Sequence, residues 1–120
     1  MVADILDEVT NGYDGLIKRI NFISFDSVTV EVSVIRRTDR EWVSVIFELK
    51  GLTEFSVKKK IKNCNAVMSN GISYKCIDDI HYIDFSPCFD DMENIDDYRM
   101  SDVYFAAKEI DFFVESYSGK

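Results

Sequence analysis

His81 is the only histidine in the 120-residue chain, so it limits how much acid–base chemistry the sequence can offer. A serine or cysteine nucleophile needs an adjacent base that a third group orients, and His81 is the one imidazole that could serve. Asp84 and Cys88 follow it closely. On an extended strand, however, positions three apart point to opposite faces, so His81 and Asp84 are not expected to converge. A structural strand histidine is the simpler reading, and no catalytic residue is assigned. Zinc would have to be held by His81 with Cys64, Cys76 and Cys88, and eleven residues separate each cysteine from the next. Zinc sites use close ligand pairs, so the cysteines are expected to be small buried hydrophobes. No metal and no cofactor is assigned.

The acidic run from Asp90 to Asp97 offers oxygen ligands, and Asp91-Met92-Glu93-Asn94-Ile95-Asp96 resembles the opening of a calcium loop. It lacks the glycine at the sixth position and the spaced terminal glutamate, so a solvated segment or a binding surface is favoured. With fourteen Asp and eight Glu, no single carboxylate pair stands out for acid–base work. As a surface, Asp90, Asp91, Glu93, Asp96 and Asp97 would meet a basic partner while Met92, Ile95 and Tyr98 supply apolar contact. Trp42 is a further candidate contact, because it lies next to Arg36, Arg37 and Arg40 and aromatic-plus-arginine composition marks interface anchors. Its alternative is packing beneath the hairpin loop or the helix.

The net charge of −8 is unevenly placed: residues 1 to 62 hold 10 Lys/Arg and 10 Asp/Glu, while residues 63 to 120 hold 4 and 12. Such a field repels nucleic acid and anionic lipid and draws a basic protein. The first residues carry acids where a secretory leader would carry Lys or Arg, and no stretch is apolar for long enough to span a bilayer. Three cysteines, few and odd in number, fit a reducing compartment, and a cytoplasmic location is expected.

The elements that must carry these residues are mainly β. Val2, Ile5, Leu6 and Val9 follow helical spacing and Asn11-Gly12 supplies a stop, so one short helix opens the chain. Residues 16–23 alternate, with the buried face left open between Leu16, Lys18, Ile20, Phe22 and Ile17, Arg19, Asn21, Ile23. Val28, Val30, Val32 and Val34 alternate with polar residues, and Val43, Val45, Phe47 and Leu49 do the same, giving a hairpin across the Arg36–Arg40 loop. Gly51 breaks the pattern, Glu54–Lys58 resumes it, and Lys58 to Lys62 form a solvated basic end. Residues 72–77 and 79–86 read as strands joined at Asp78-Asp79, with a turn at Asn70-Gly71 and a stop at Pro87. Residues 88–102 fit either a long loop or one or two helical turns. Residues 103–107 and 110–115 are two strands, or one with a bulge near Lys108-Glu109. The sum is a single domain over residues 1–120, mainly β and α+β by content. Its seven or eight antiparallel strands form a sandwich or a strongly curved meander sheet, with one short N-terminal helix.

Tyr13-Asp14-Gly15-Leu16-Ile17, the Val28–Ile35 strand, Val45 to Leu52 followed by Phe55, and Ser101-Asp102-Val103-Tyr104-Phe105 together resemble small bacterial β-rich families. Some of these are grouped with immunity proteins of polymorphic toxin systems. The resemblance implies a non-enzymatic protein that binds and neutralises a toxin, and it carries over no catalytic residue. The leading expectation is therefore a binding module for a basic protein, with no nucleic-acid or membrane partner. Two other classes stay open. One is a small-ligand or enzymatic β-domain with a pocket near His81, using Tyr74, His81, Tyr82 and Asp84; the other is a self-associating structural subunit that pairs strand edges.

Overall fold

The structure is a computed structural model that describes residues 2–58, 66–68, 70–87 and 92–116. Helix α1 (Val2–Glu8) leads into β1 (Gly15–Ser24), β2 (Ser27–Ile35), β3 (Trp42–Val57), β4 (Ala66–Met68), β5 (Ser73–Ile77) and β6 (Ile80–Asp84). A second short helix, α2 (Ile95–Arg99), precedes the last strand, β7 (Val103–Ser116). All pairings are antiparallel and make one sheet in the order β4-β1-β2-β3-β7-β6-β5. Of the two expected architectures, this is the curved sheet: a half-barrel with α1 on its concave side.

Curvature follows from chain reach. Laid flat, seven strands about 4.8 Å apart would hold their outer two roughly 29 Å apart. Yet β4 lies at one edge, β5 at the other, and Met68 and Ser73 are five residues apart in sequence, a span of at most about 18 Å. The sheet must curl for the two edges to approach. The seam is closed by Asp14 N–H and Gly71 N–H donating to Met68 C=O (3.0 and 3.1 Å) and by Ile72 N–H donating to Asn11 C=O at 2.6 Å. Gly71 makes this geometry accessible: its φ is +73°, and a Cβ there would lie 2.6 Å from the Asn11 carbonyl oxygen.

The concave face holds the main core. Val28, Val30, Val32 and Val34 pack beside Val43, Val45, Phe47 and Leu49, their partners across the ladder, and α1 adds Val2, Ile5 and Leu6. On β1 both Ile17 and Ile20 join this core, three residues apart, because the pairing with β2 shifts at Lys18. That bulge is why simple alternation leaves the face of β1 undecided. Gly51 does not end a strand; β3 runs through it with φ +68° and takes a second irregularity between Leu52 and Glu54. Opposite, β7 is one strand whose core-facing positions change from Val103, Phe105 and Ala107 to Ile110 and Phe112, so its phase switches at Lys108-Glu109 as the sequence suggests. Asp78 and Asp79 have φ of +51° and +65°, the two positive values a tight two-residue hairpin requires, and they join β5 to β6. Strand β4 was not expected from the sequence.

At the β6–β7 end a second layer covers the convex face. Tyr82, Met92, Tyr98, Tyr104 and Ala106 form a separate buried cluster beneath the α2 segment. Strand β7 is thus buried on both faces from Val103 to Ala107.

Candidate functional site

The acidic segment is built as a fixed protrusion. Asn94 caps α2: Asp97 N–H donates to Asn94 Oδ1, while Glu93 and Asn94 N–H both donate to Asp97 Oδ2. This reciprocal capping box satisfies backbone donors that a short helix otherwise leaves open. Arg99 then clamps the helix to β3, with two hydrogen bonds to the Glu54 carboxylate at 2.8 and 2.9 Å. The Tyr104 hydroxyl donates to the same carboxylate at 2.8 Å. The Arg99 bonds, followed by that of Tyr104, hold the Glu54 carboxyl below its ordinary range, whereas burial and then the hydrogen bond to Glu54 push the Tyr104 phenol up to about 12. Tyr98 is fully buried and its hydroxyl shares a 3.0 Å hydrogen bond with Ser73.

Each expected contact residue can now be placed. Glu93 and Asp96 are exposed, the Asp96 carboxylate 90% so. Asp97 spends its carboxylate on the cap. Met92 and Tyr98 are buried and Ile95 is partly buried, so the apolar residues of the segment hold it to the sheet instead of facing a partner. Asp90, Asp91, Cys64, Cys88 and the lysines at 59, 60 and 62 lie outside the described residues. Trp42 opens β3 on the convex side opposite Ile35 and is 37% exposed.

The most exposed apolar residue among those described lies elsewhere, at the β1–β2 hairpin tip, while Met100, Phe113 and Val114 are also exposed at other places on the sheet. Phe25 is 92% exposed, Ile23 62%, and Phe22 and Phe55 remain close to half exposed beside them. The tip is held in place: Ser24 Oγ donates to Asp26 Oδ1, and Leu52 N–H donates to the Asp26 carbonyl. A run of rings ties it to the core. Phe22 meets Phe55 at 4.9 Å, Phe55 stacks with Phe105 at 6.2 Å, and Phe105 meets Phe85, which meets Phe47. The sequence carried one signal of this patch, a phenylalanine in the Ser24-Phe25-Asp26-Ser27 turn, where small or polar residues are usual.

His81 and Asp84 do lie on opposite faces of β6. His81 Nδ1 is 2.6 Å from the Tyr74 hydroxyl, and the two rings stack. Cys76, the cross-strand partner of His81, is exposed, which corrects the expectation that the cysteine is buried: β5 is an edge strand and leaves this position open. Asp84 is fully buried; its Oδ1 accepts from Ser101 Oγ at 2.5 Å and Ser86 N–H at 2.7 Å, and its Oδ2 has no partner among the described residues. Burial raises its carboxyl to about 6 despite those two bonds. Tyr74, His81, Tyr82 and Asp84 therefore do not line one pocket. No group of three or more His, Cys, Asp or Glu among the described residues could hold a metal ion. No described helix is long and apolar enough to cross a membrane.

Comparison with known proteins returns no matching family model, no matching curated protein and no matching solved structure.

Proposed function

We propose that this chain is a non-enzymatic protein-binding module of the immunity or inhibitor type, acting in a reducing cytoplasm on a basic protein, a toxin in the reading that its β-rich resemblance suggests. The observation that carries this reading is the aromatic hairpin tip: Phe25 and Ile23 stand in solvent on a backbone tied to β3 and backed by a ladder of rings. Exposed apolar clusters of this kind are the usual mark of a partner surface, and a held backbone lowers the ordering cost of binding. The acid excess of the second half supplies the second element, drawing a basic partner and raising the association rate. In this division of labour Phe22, Ile23, Phe25 and Phe55 anchor, while Glu93 and Asp96 steer.

The test is capture by the tagged chain from its native host across a salt series, followed by kinetics with the recovered protein. Phe25→Ala is expected to raise the dissociation rate at least tenfold. Glu93→Gln with Asp96→Asn is expected to lower the association rate and flatten its salt dependence. Recovery of an acidic partner, or one indifferent to both variants, would refute the reading. Strand β5 has a ladder partner on one side only, which favours self-association as the second reading. Light scattering over a hundredfold concentration range separates the two, because a lone monomer at every concentration excludes the latter.

A further inference from the structure

Asp84 and Ser101 stand at the two ends of the connection between β6 and β7, which carries α2 with Glu93 and Asp96. Both are fully buried, and a hydrogen-bond node joins them. Asp84 Oδ1 lies 2.5 Å from Ser101 Oγ and accepts from Ser86 N–H at 2.7 Å. Ser101 Oγ is also 3.2 Å from the Ser86 carbonyl, and it accepts from Val103 N–H at 3.1 Å. The Ser101 N–H donates to the Tyr98 carbonyl in α2. One side chain of β6 thereby ties down both ends of the connection.

The hydroxyl of Ser101 has one hydrogen and two oxygens within its reach, Asp84 Oδ1 and the Ser86 carbonyl. With Asp84 ionised, that hydrogen goes to Oδ1. The Ser86 carbonyl then loses it, and Oδ2 shares a negative charge with no partner among the described residues. With Asp84 neutral, its carboxyl O–H donates to Ser101 Oγ and the Ser101 hydroxyl turns to the Ser86 carbonyl, so both contacts are served. The surroundings favour the neutral form as well. The groups facing Asp84 are Ser73 across the ladder on β5, Tyr104 across it on β7, Tyr82 on β6 itself and Tyr98 from α2, all uncharged. Lys75, two residues beyond Ser73, is exposed to solvent, and the Asp102 carboxylate adds repulsion.

We propose that Asp84 is a proton-operated latch: its neutral form fastens the α2 segment to the sheet, and loss of the proton releases that segment. The segment has its own means of opening, because it rests on the separate cluster of Tyr82, Met92, Tyr98, Tyr104 and Ala106 and not on the main core. Burial raises the Asp84 carboxyl from 3.8 to about 6, so the closed segment holds the proton more tightly than an open one, and closure weakens as pH rises through about 6. From one unit below that value to one unit above, the open form becomes about tenfold more frequent. Acidification therefore fixes Glu93 and Asp96 in place. The latch operates in the free chain and is independent of the protein-binding reading.

The experiment is amide hydrogen exchange of the ¹⁵N-labelled full chain at these two pH values, with rates corrected for the intrinsic effect of pH. The amides of Asp97, Met100 and Ser101, all hydrogen-bonded within the segment, should exchange while those of β2 and β3 stay protected. Their protection should fall about tenfold from the lower pH to the upper. Asp84→Asn cannot ionise and should give equal protection at both. Ser101→Ala cuts the tie at the α2 end and should speed exchange in the segment already at the lower pH; it decides the matter with the parent's two profiles should Asp84→Asn not fold. The proposal is overturned if the segment exchanges only together with β2 and β3, if the parent's protection is the same at both pH values, or if Asp84→Asn keeps the parent's pH dependence.

Discussion

The β6–β7 end of the sheet and the β1–β2 hairpin tip use the same residue type in opposite ways. At the first, Phe105 is fully buried in a strand covered on both faces, under a helix that is capped, clamped by Arg99 and locked by tyrosines. At the second, Phe25 is 92% exposed and Phe22 and Phe55 are half so, although ring contacts join them to Phe105. An aromatic ring in the first region contributes to stability; Phe25 in the second adds little to it, which is what the proposed partner surface requires. Segregating the two roles permits a held patch: ring contacts fix Phe22 and Phe55, and the bonds of Asp26 fix the turn that carries Phe25.

The largest expected effect tests this segregation directly. Phe105→Ala should destabilise the fold by about 4 kcal/mol in denaturant unfolding, the usual cost of removing a fully buried ring. Phe25→Ala should change it by no more than about 0.5 kcal/mol, as for an ordinary surface substitution. Equal costs would abolish the distinction between the two regions.

Next comes the buried carboxyl of the doubly covered end. The folded state raises Asp84 from 3.8 to about 6, so the fold binds that proton more tightly than the unfolded chain does. Its stabilising contribution is complete below pH 3.8 and is lost as pH rises through about 6, a swing of roughly 3 kcal/mol. Asp84→Asn keeps an oxygen that can accept from Ser101 and Ser86 but cannot ionise. Relative to the parent, this variant should gain about 3 kcal/mol between the lower and upper ends of that window. A pH-independent difference would mean that Asp84 is not held in a desolvated site.

The smallest effect belongs to the rim of the same region. Arg99→Ala removes two hydrogen bonds to Glu54, yet Arg99 is 53% exposed, so solvent screens the pair and the loss of stability should be well below that at Phe105. Amide exchange should quicken in residues 95–99 and remain unchanged at the hairpin tip.

Much of this fold is legible in the sequence, for reasons that also explain the rest. The valines from Val28 to Val34 alternate because only one face of β2 meets the core, and Asn70-Gly71 marks a turn because Gly71 needs a positive φ. Alternation fails at Lys18, where a bulge resets the face, and at Gly51, where a kinked strand imitates two short ones. Strand β4, three residues long, carries too little pattern to register. The candidate surface was half legible. Charge located Glu93 and Asp96 in the open, but nothing local says that Met92 and Tyr98 turn inward, since their burial comes from strands distant in sequence. The hairpin tip was missed because Phe22 and Phe55 meet only in three dimensions, and Phe25 alone hinted at it.

The hairpin tip is proposed to serve a partner. Its most direct test is the dissociation rate of the complex with the recovered partner protein, measured for the parent and for Phe25→Ala at matched stability. At least a tenfold faster dissociation is expected, with unfolding unchanged. A dissociation rate equal to that of the parent would contradict it.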